Sequence, residues 1–245
     1  VERSRGLGDV YKRQLYYCRM KLSGFAAGPF QTNCYVLLSE ESREAVVIDP
    51  GMGAYEPVTE FLTREQATLA AVVCTHGHLD HTRDAARFDV PVYIHPDDEF
   101  MLDGGLGLPD STRQLFDATS MQPPREVRSL LDAYSLTLAD TTFTVRHAPG
   151  HSPGSVLLVE DAAEEKTETA GETGPLVFSG DVLFRGAIGR TDFEHSDPAA
   201  MRASLRGPVW DLDDTCVVLP GHGPTTVMGQ ERATNPFLLQ ANPDR

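Results

Sequence analysis

The chain has 245 residues, enough to bury a sizeable core without covalent staples, and its cysteines (Cys18, Cys34, Cys74 and Cys216) lie far apart with no C-x-x-C pair, as expected of reduced thiols in a cytoplasmic protein. Acidic residues outnumber basic ones 36 to 21, and the resulting net charge of −15 repels a polyanion backbone, which argues against nucleic acid as a partner. No apolar run approaches the roughly 20 residues a membrane helix needs, and no secretory h-region stands at the start of the sequence.

Residues 1–14, VERSRGLGDVYKRQ, show neither strand nor helix periodicity, and RGLGDVYKRQ resembles translated adapter DNA. Residues 1–21 are therefore expected to be a disordered or non-native tail, and residues 22–245 a single domain. From Leu22 onward, short β-branched runs bounded by Gly, Pro and Asp predict strands over 33–38, 45–49, 70–74, 92–95, 135–139, 143–147, 155–159, 176–179 and 216–219. Helical patterning is clearest over 56–65, 80–88, 97–102, 198–205 and 229–234. Strands come first in hairpin-like succession and then mix with helices. This pattern predicts an α/β (α+β) chain with two mixed sheets and helices outside, and it does not fit a doubly wound alternation. Residues 103–129 are too long for an ordinary connector and are expected to form a lid or entry loop. The acidic stretch 161–174, nearly free of large apolar residues, reads as a solvated hairpin tip.

The strongest chemical signal is THGHLDH, residues 75–81, directly after the apolar run AAVVC. A turn needs none of these histidines, whereas a metal explains them. His76 and His78 are two apart, so in an extended segment they project to the same side and can chelate one ion. Asp80 and His81 open the next helix and point elsewhere, which suits a second ion. Further candidates stand in Gly-rich turns after apolar strands: His151 in HAPGHSPGS, Asp181 in LVFSGDVLF and His222 in VVLPGHGPT. Each is weak alone, and together with THGHLDH they make a constellation.

Those motifs, with GPFQTNCYVL, VVIDPG and FSGDVLFRGAIGRTD, resemble the metallo-β-lactamase superfamily, and within it the single-domain glyoxalase II-like, or hydroxyacylglutathione hydrolase-like, branch. The resemblance implies an αββα sandwich with metals at one edge. It implies two zinc ions, iron or manganese being the alternatives, one held by His76, His78 and His151 and the other by Asp80, His81 and His222, with Asp181 bridging. Asp80 and Asp181 are thus assigned to catalysis as well as to the metals. The implied activity is hydrolysis of an S-2-hydroxyacylglutathione-type thioester by a hydroxide between the ions, each of which lowers the pKa of bound water toward roughly 7. The partner is then a small-molecule thioester, with no nucleic acid and no membrane, and the oligomeric state is left open.

The rival on the same scaffold is a persulfide dioxygenase with one iron on His76, His151 and Asp181. A lactonase or other ester hydrolase fits the identical site, while a nuclease would be expected to bring extra RNA-binding regions and basic surface, against which the net charge of −15 argues. Fuller glyoxalase II enzymes add a C-terminal helical domain with basic residues for glutathione, which this sequence does not include, so the thiol carrier is left open. Arg185 and Arg190 are candidates to meet a substrate carboxylate, against a plain ion-pair role. His95, His147 and His195 read as caps, packing or solvent-exposed groups. Of these, His147 is the candidate to hydrogen-bond a ligating imidazole. Asp49 is a candidate to orient the THGHLDH loop.

Overall fold

The β-branched runs pair into two sheets whose inner faces meet, and apolar side chains alternate between that interface and the outer helices. In this computed structural model residues 20–104, 110–161 and 174–244 are described, together with the backbone of Arg13–Tyr17. The first, 7-stranded sheet holds β1 (Arg13–Tyr17), β2 (Met20–Ala27), β3 (Thr32–Ser39), β4 (Glu44–Ile48), β5 (Thr68–Val73), β6 (Val92–Ile94) and β7 (Val127–Ser129) in chain order. Strands β1 to β4 are antiparallel neighbours, and β4 to β7 run parallel. Parallel neighbours require crossovers. These are supplied by α1 (Tyr55–Glu65) before β5, by α2 (Leu79–Thr82) with a 3₁₀ turn at Ala85–Phe88 before β6, and by a 3₁₀ helix at Pro96–Leu102 with α3 (Asp110–Leu115) before β7.

Continuing along the chain, β8 (Ser135–Leu138), β9 (Thr141–His147), β10 (Val156–Glu160) and β11 (Leu176–Gly180) precede a small hairpin of β12 (Leu183–Phe184) and β13 (Ala187–Ile188). Helix α4 (Pro198–Arg206) then crosses to β14 (Val217–Pro220) and β15 (Thr226–Val227), and α5 (Met228–Thr234) and α6 (Pro236–Ala241) close the described chain. The second, 6-stranded sheet has the order β15-β14-β11-β10-β9-β8.

Between the sheets pack Leu22, Tyr35, Leu37, Ile48 and Val73 from one side, and Phe143, Val145, Leu158, Phe178 and Leu219 from the other. The opposite pleat of the first sheet, including Val36, Val47 and Val72, meets Val58 and Phe61 of α1. Val177 and Val218 of the second sheet meet Met201, Leu205 and Leu238 of α4 and α6. The architecture is therefore an αββα sandwich. Each fully buried aromatic or aliphatic side chain in these layers contributes about 1.5–3 kcal/mol over the exposed state.

Three expectations change. The tail boundary at residue 21 moves: β1 pairs with β2 from Arg13↔Gly24 to Tyr17↔Met20, and Met20 already packs between the sheets. The helix expected over 80–88 divides at Asp84. Its backbone N–H turns away to the Pro50 carbonyl (3.0 Å), and its carboxylate accepts from the N–H groups of Gly53 (2.9 Å) and Tyr55 (3.2 Å) at the start of α1. The connector 103–129 carries α3, a 3₁₀ turn at Ala118–Ser120 and β7. Residues 1–12, 18–19, 105–109, 162–173 and 245 lie outside the described residues, and with them the rest of the tail, Cys18 and most of the acidic tip. The described cysteines Cys34, Cys74 and Cys216 are free and buried. Among the described residues no helix is long and apolar enough to cross a membrane.

Candidate metal centre

Strands β4 and β5 end side by side, and their exits build one wall of the site. Asp49, just past β4, adopts a left-handed backbone (φ 52°), a region Asp tolerates better than most residues. Its carboxylate accepts hydrogen bonds from the Thr75 N–H (2.7 Å), the Thr75 hydroxyl (2.7 Å) and His81 Nδ1 (3.0 Å). The candidate orienting role of Asp49 is thus the one the geometry shows. On the opposite side, the β14 exit that carries His222 is fastened to the first sheet. Asn33 donates its backbone N–H to the Gly221 carbonyl (2.7 Å) and its side-chain amide to the Pro220 carbonyl (2.9 Å), which also accepts from the Tyr35 hydroxyl (2.7 Å).

These loops bring the whole predicted set together. The donor atoms of His76, His78 and His151 form one group, those of Asp80, His81 and His222 another, and those of His76, His81 and Asp181 a third between them. His76 Nε2 stands 3.1 Å from His78 Nδ1, which stands 2.8 Å from His151 Nε2. On the other side His222 Nε2 lies 3.1 Å from Asp80 Oδ2, and His81 Nε2 lies 3.4 Å from the same oxygen. Asp181 spans the two halves: Oδ1 is 3.4 Å from His81 Nε2, and Oδ2 is 3.5 Å from both His151 Nε2 and His222 Nε2.

The outward-facing ring nitrogens fix which inward atoms carry lone pairs. His151 Nδ1 faces the Arg190 carbonyl (2.8 Å), His222 Nδ1 the Phe30 carbonyl (3.2 Å) and His81 Nδ1 the Asp49 carboxylate, so each carries its proton there. The Thr75 hydroxyl donates to Asp49 and so accepts from His76 Nδ1 (3.2 Å). The Nε2 lone pairs of these rings therefore converge on Asp80 and Asp181, acceptors facing acceptors. His81 Nε2 and Asp181 Oδ1 are buried without any hydrogen-bond partner. Orphaned buried acceptors are costly, and a cation removes the cost. The donor set fits divalent metal ions.

Electrostatics divide the set: His76, His78 and His151 are kept neutral, while His81 and His222 are drawn toward positive charge by the carboxylates they face, a field that would equally hold a cation. Burial, reinforced by neighbouring imidazoles, pushes His76 well below the ordinary histidine value and His78 to about 3, and burial also lowers His151, which favours these rings in the neutral form a metal needs. Burial opposes charge on Asp80 and Asp181, yet His81 and its neighbours outweigh it and hold both carboxyls below their usual range. Burial likewise opposes a proton on His81, but Asp80, Asp181 and Asp49 outweigh it and raise that ring, as Asp80 and Asp181 raise His222.

Several contributors carry no sequence signal of their own. Thr32 donates its hydroxyl to Asp80 Oδ2 (2.9 Å). Phe193, 40% exposed, sets its ring edge-on against His78 (5.5 Å) and His151 (5.8 Å). Arg190 pairs with both carboxylate oxygens of Asp192 and lies over Phe193, so the ion-pair role prevails for it. Arg185 donates to the Thr225 carbonyl. His147 does not partner a ligating ring: its Nε2 faces the Pro153 carbonyl (2.8 Å) and its ring stacks on His95 at 4.0 Å. His195 packs edge-on against Phe100.

Comparison with known proteins agrees with this geometry. The profile of the Metallo-beta-lactamase superfamily matches residues 27–163, more than half of the chain. An uncharacterized protein of Mycobacterium leprae is 39% identical over 225 residues, covering 89% of this chain and 99% of that one. Hydroxyacylglutathione hydrolase GloC of Haemophilus influenzae is 33% identical over 216 residues, covering 85% of this chain and 93% of that one. The crystal structure of TTHA1623 in a di-iron-bound form superposes with a TM-score of 0.69 at 35% identity, covering 87% of this chain and 98% of that one. Sequence motifs, sandwich and converging donors thus agree, and the chain belongs to the metallo-beta-lactamase superfamily.

Proposed function

We propose that this chain hydrolyses thioesters of the S-2-hydroxyacylglutathione type at a centre of two metal ions, with zinc, iron and manganese as the candidate metals. The observation that carries the reading is the division of donors into His76, His78 and His151 on one side and Asp80, His81 and His222 on the other, with Asp181 reaching both. A bound pair of ions supplies a water-derived nucleophile at neutral pH and a positive charge for the carbonyl oxygen. The residues of the chain prepare the rest. Asp49 and the Arg190 carbonyl hold His81 and His151 with their lone pairs inward. Thr32 donates its hydroxyl to Asp80 Oδ2 and so holds that carboxylate in place. The exposed edge of Phe193 beside His78 and His151 gives an apolar wall for the carbon chain of the acyl group. A thiolate departs readily, so the reaction needs no separate proton donor.

The GloC relative supports the substrate class, and the di-iron form of TTHA1623 supports iron as a candidate metal. The net charge of −15 supports a small molecule over nucleic acid as partner, and the buried free thiols support a reducing, cytoplasmic setting. The test is thiol release from S-lactoylglutathione and from simple acyl thioesters by metal-loaded protein, with oxygen uptake on glutathione persulfide as the control. Metal-dependent thiol release supports the reading. Oxygen uptake without thiol release overturns it in favour of a single-iron dioxygenase, and turnover of lactones alone overturns it in favour of an ester hydrolase.

A further inference from the structure

Asp98 is a buried acid that belongs to none of the candidate metal-holding groups. It sits on the 3₁₀ helix Pro96–Leu102 that follows β6 of the first sheet, is 0% exposed, and makes no ion pair with Lys or Arg among the described residues. Its carboxylate is held instead by neutral donors from two different loops. Oδ2 accepts from the Gly77 N–H (2.8 Å) between His76 and His78, and from the Ser152 hydroxyl (2.6 Å) next to His151. Oδ1 accepts from the Gly154 N–H (2.6 Å) in the same PGHSPGS turn. The Ser152 hydroxyl can face Asp98 because the Ser155 hydroxyl, 2.7 Å away, is free to donate to it in turn.

We propose that Asp98 is a positioning residue for one half of the centre: by clamping the His76–His78 loop of the first sheet to the His151 loop of the second, it sets the spacing of those imidazoles and hence the affinity of their ion. The inference rests on the metal-centre reading, and not on the thioester substrate.

Chemistry and space both support the clamp. Every group aimed at Asp98 is a donor, so an acceptor-only carboxylate satisfies all of them, whereas an amide would turn an N–H against an N–H. The same contact accounts for glycines in both motifs. A Cβ on Gly154 would stand 2.7 Å from Asp98 Cγ, and one on Gly77 would stand 2.8 Å from the Asp98 carbonyl oxygen. Neither loop can approach Asp98 this closely with a larger residue. The second half of the centre is held independently, by Asp49 on His81 and by Asn33 and Thr32 on the His222 and Asp80 side. A defect at Asp98 is therefore expected to be local to the three-histidine group.

The experiment is titration of the metal-free full chain with Zn2+ against a chromophoric competing chelator. Asp98→Asn and Ser152→Ala are compared with His151→Ala and His222→Ala as references for loss of either half. Thermal unfolding of each metal-free variant is recorded alongside. Asp98→Asn is expected to weaken one binding step about 10- to 100-fold, the range seen when the partner of a metal-ligating group is removed. That step should be the one abolished by His151→Ala, and the step abolished by His222→Ala should be unchanged. Ser152→Ala, which removes a single donor, is expected to weaken the same step by a smaller factor without loss of the fold, and it carries the test if Asp98→Asn does not fold. Equal weakening of both steps in proportion to a lower melting temperature, or no weakening of either in a folded variant, overturns the proposal. A protein that binds two ions in this pattern but releases no thiol overturns the proposed substrate and leaves the Asp98 assignment standing.

Discussion

His81 Nε2 and Asp181 Oδ1 face each other across 3.4 Å at the middle of the centre, both buried and neither with a hydrogen-bond partner. Two buried polar atoms in this relation fit a cation between them, and Asp181 is the group that reaches both sides. Replacing Asp181 by Ala removes the shared carboxylate. The expected outcome is loss of both ions at micromolar metal and a fall in turnover on the order of 100-fold or more, equivalent to at least about 2.7 kcal/mol of transition-state stabilisation. Metal analysis and steady-state kinetics on one preparation check this, and full turnover with two ions bound would refute the shared role.

Asp49 serves the centre without entering it. In Asp49→Ala the Thr75 N–H and hydroxyl and the His81 Nδ1–H all lose their acceptor in a buried setting, at about 1–3 kcal/mol for each unsatisfied group. His81 is then free to rotate or change tautomer. A lower denaturation midpoint of the metal-free protein, together with metal affinity weakened about 10- to 100-fold, is expected from denaturant titration and chelator competition.

Chelation should separate fold from function. The sandwich is held by apolar layers on both sides of each sheet, so the metal-free chain is expected to remain folded and to lose activity. Each ion present at about 1,000 times its dissociation constant adds roughly 4 kcal/mol to the native state, so two add roughly 8 kcal/mol, a rise in melting temperature on the order of 20 °C for a chain of this size. Scanning calorimetry with and without chelator measures it, and readdition of metal should restore both activity and melting temperature.

Acid should destabilise the metal-free protein through His78. Burial, and then the neighbouring His151, hold that ring to about 3, while an unfolded chain binds the same proton near its ordinary value of 6.5. Between these values the unfolded state carries more protons, so the contribution of His78 is present above 6.5 and is lost progressively as pH falls toward 3. Denaturation midpoints of chelated protein from pH 7 to 4 should show a shallower acid limb for His78→Gln than for the parent chain.

The chemistry of this protein was more legible than its supports. THGHLDH points to a metal because a turn does not need its imidazoles, and PGHSPGS, FSGD and LPGHG, each weak alone, gain meaning beside it, while the fold class followed from strand runs whose period is visible in the chain. Asp98 was invisible for a physical reason: its value lies in where β6 delivers it, against partners 21 residues away at Gly77 and 54 residues away at Ser152. Asn33 likewise reaches across 187 residues to the Pro220 carbonyl. The break at Asp84 depended on a tertiary hydrogen bond to Pro50 that local propensity does not encode. β1 and the start of β2 were hidden because the preceding residues lack periodicity, although the backbone of Arg13–Tyr17 completes the sheet edge.

The central claim is a two-ion centre that hydrolyses thioesters, and metal stoichiometry measured against turnover tests it most directly. Metal-free protein titrated with Zn2+, Fe2+ or Mn2+ should gain S-lactoylglutathione hydrolysis that reaches its plateau at two ions per chain. A plateau at one ion, or full occupancy by two ions with no thiol released, would contradict it.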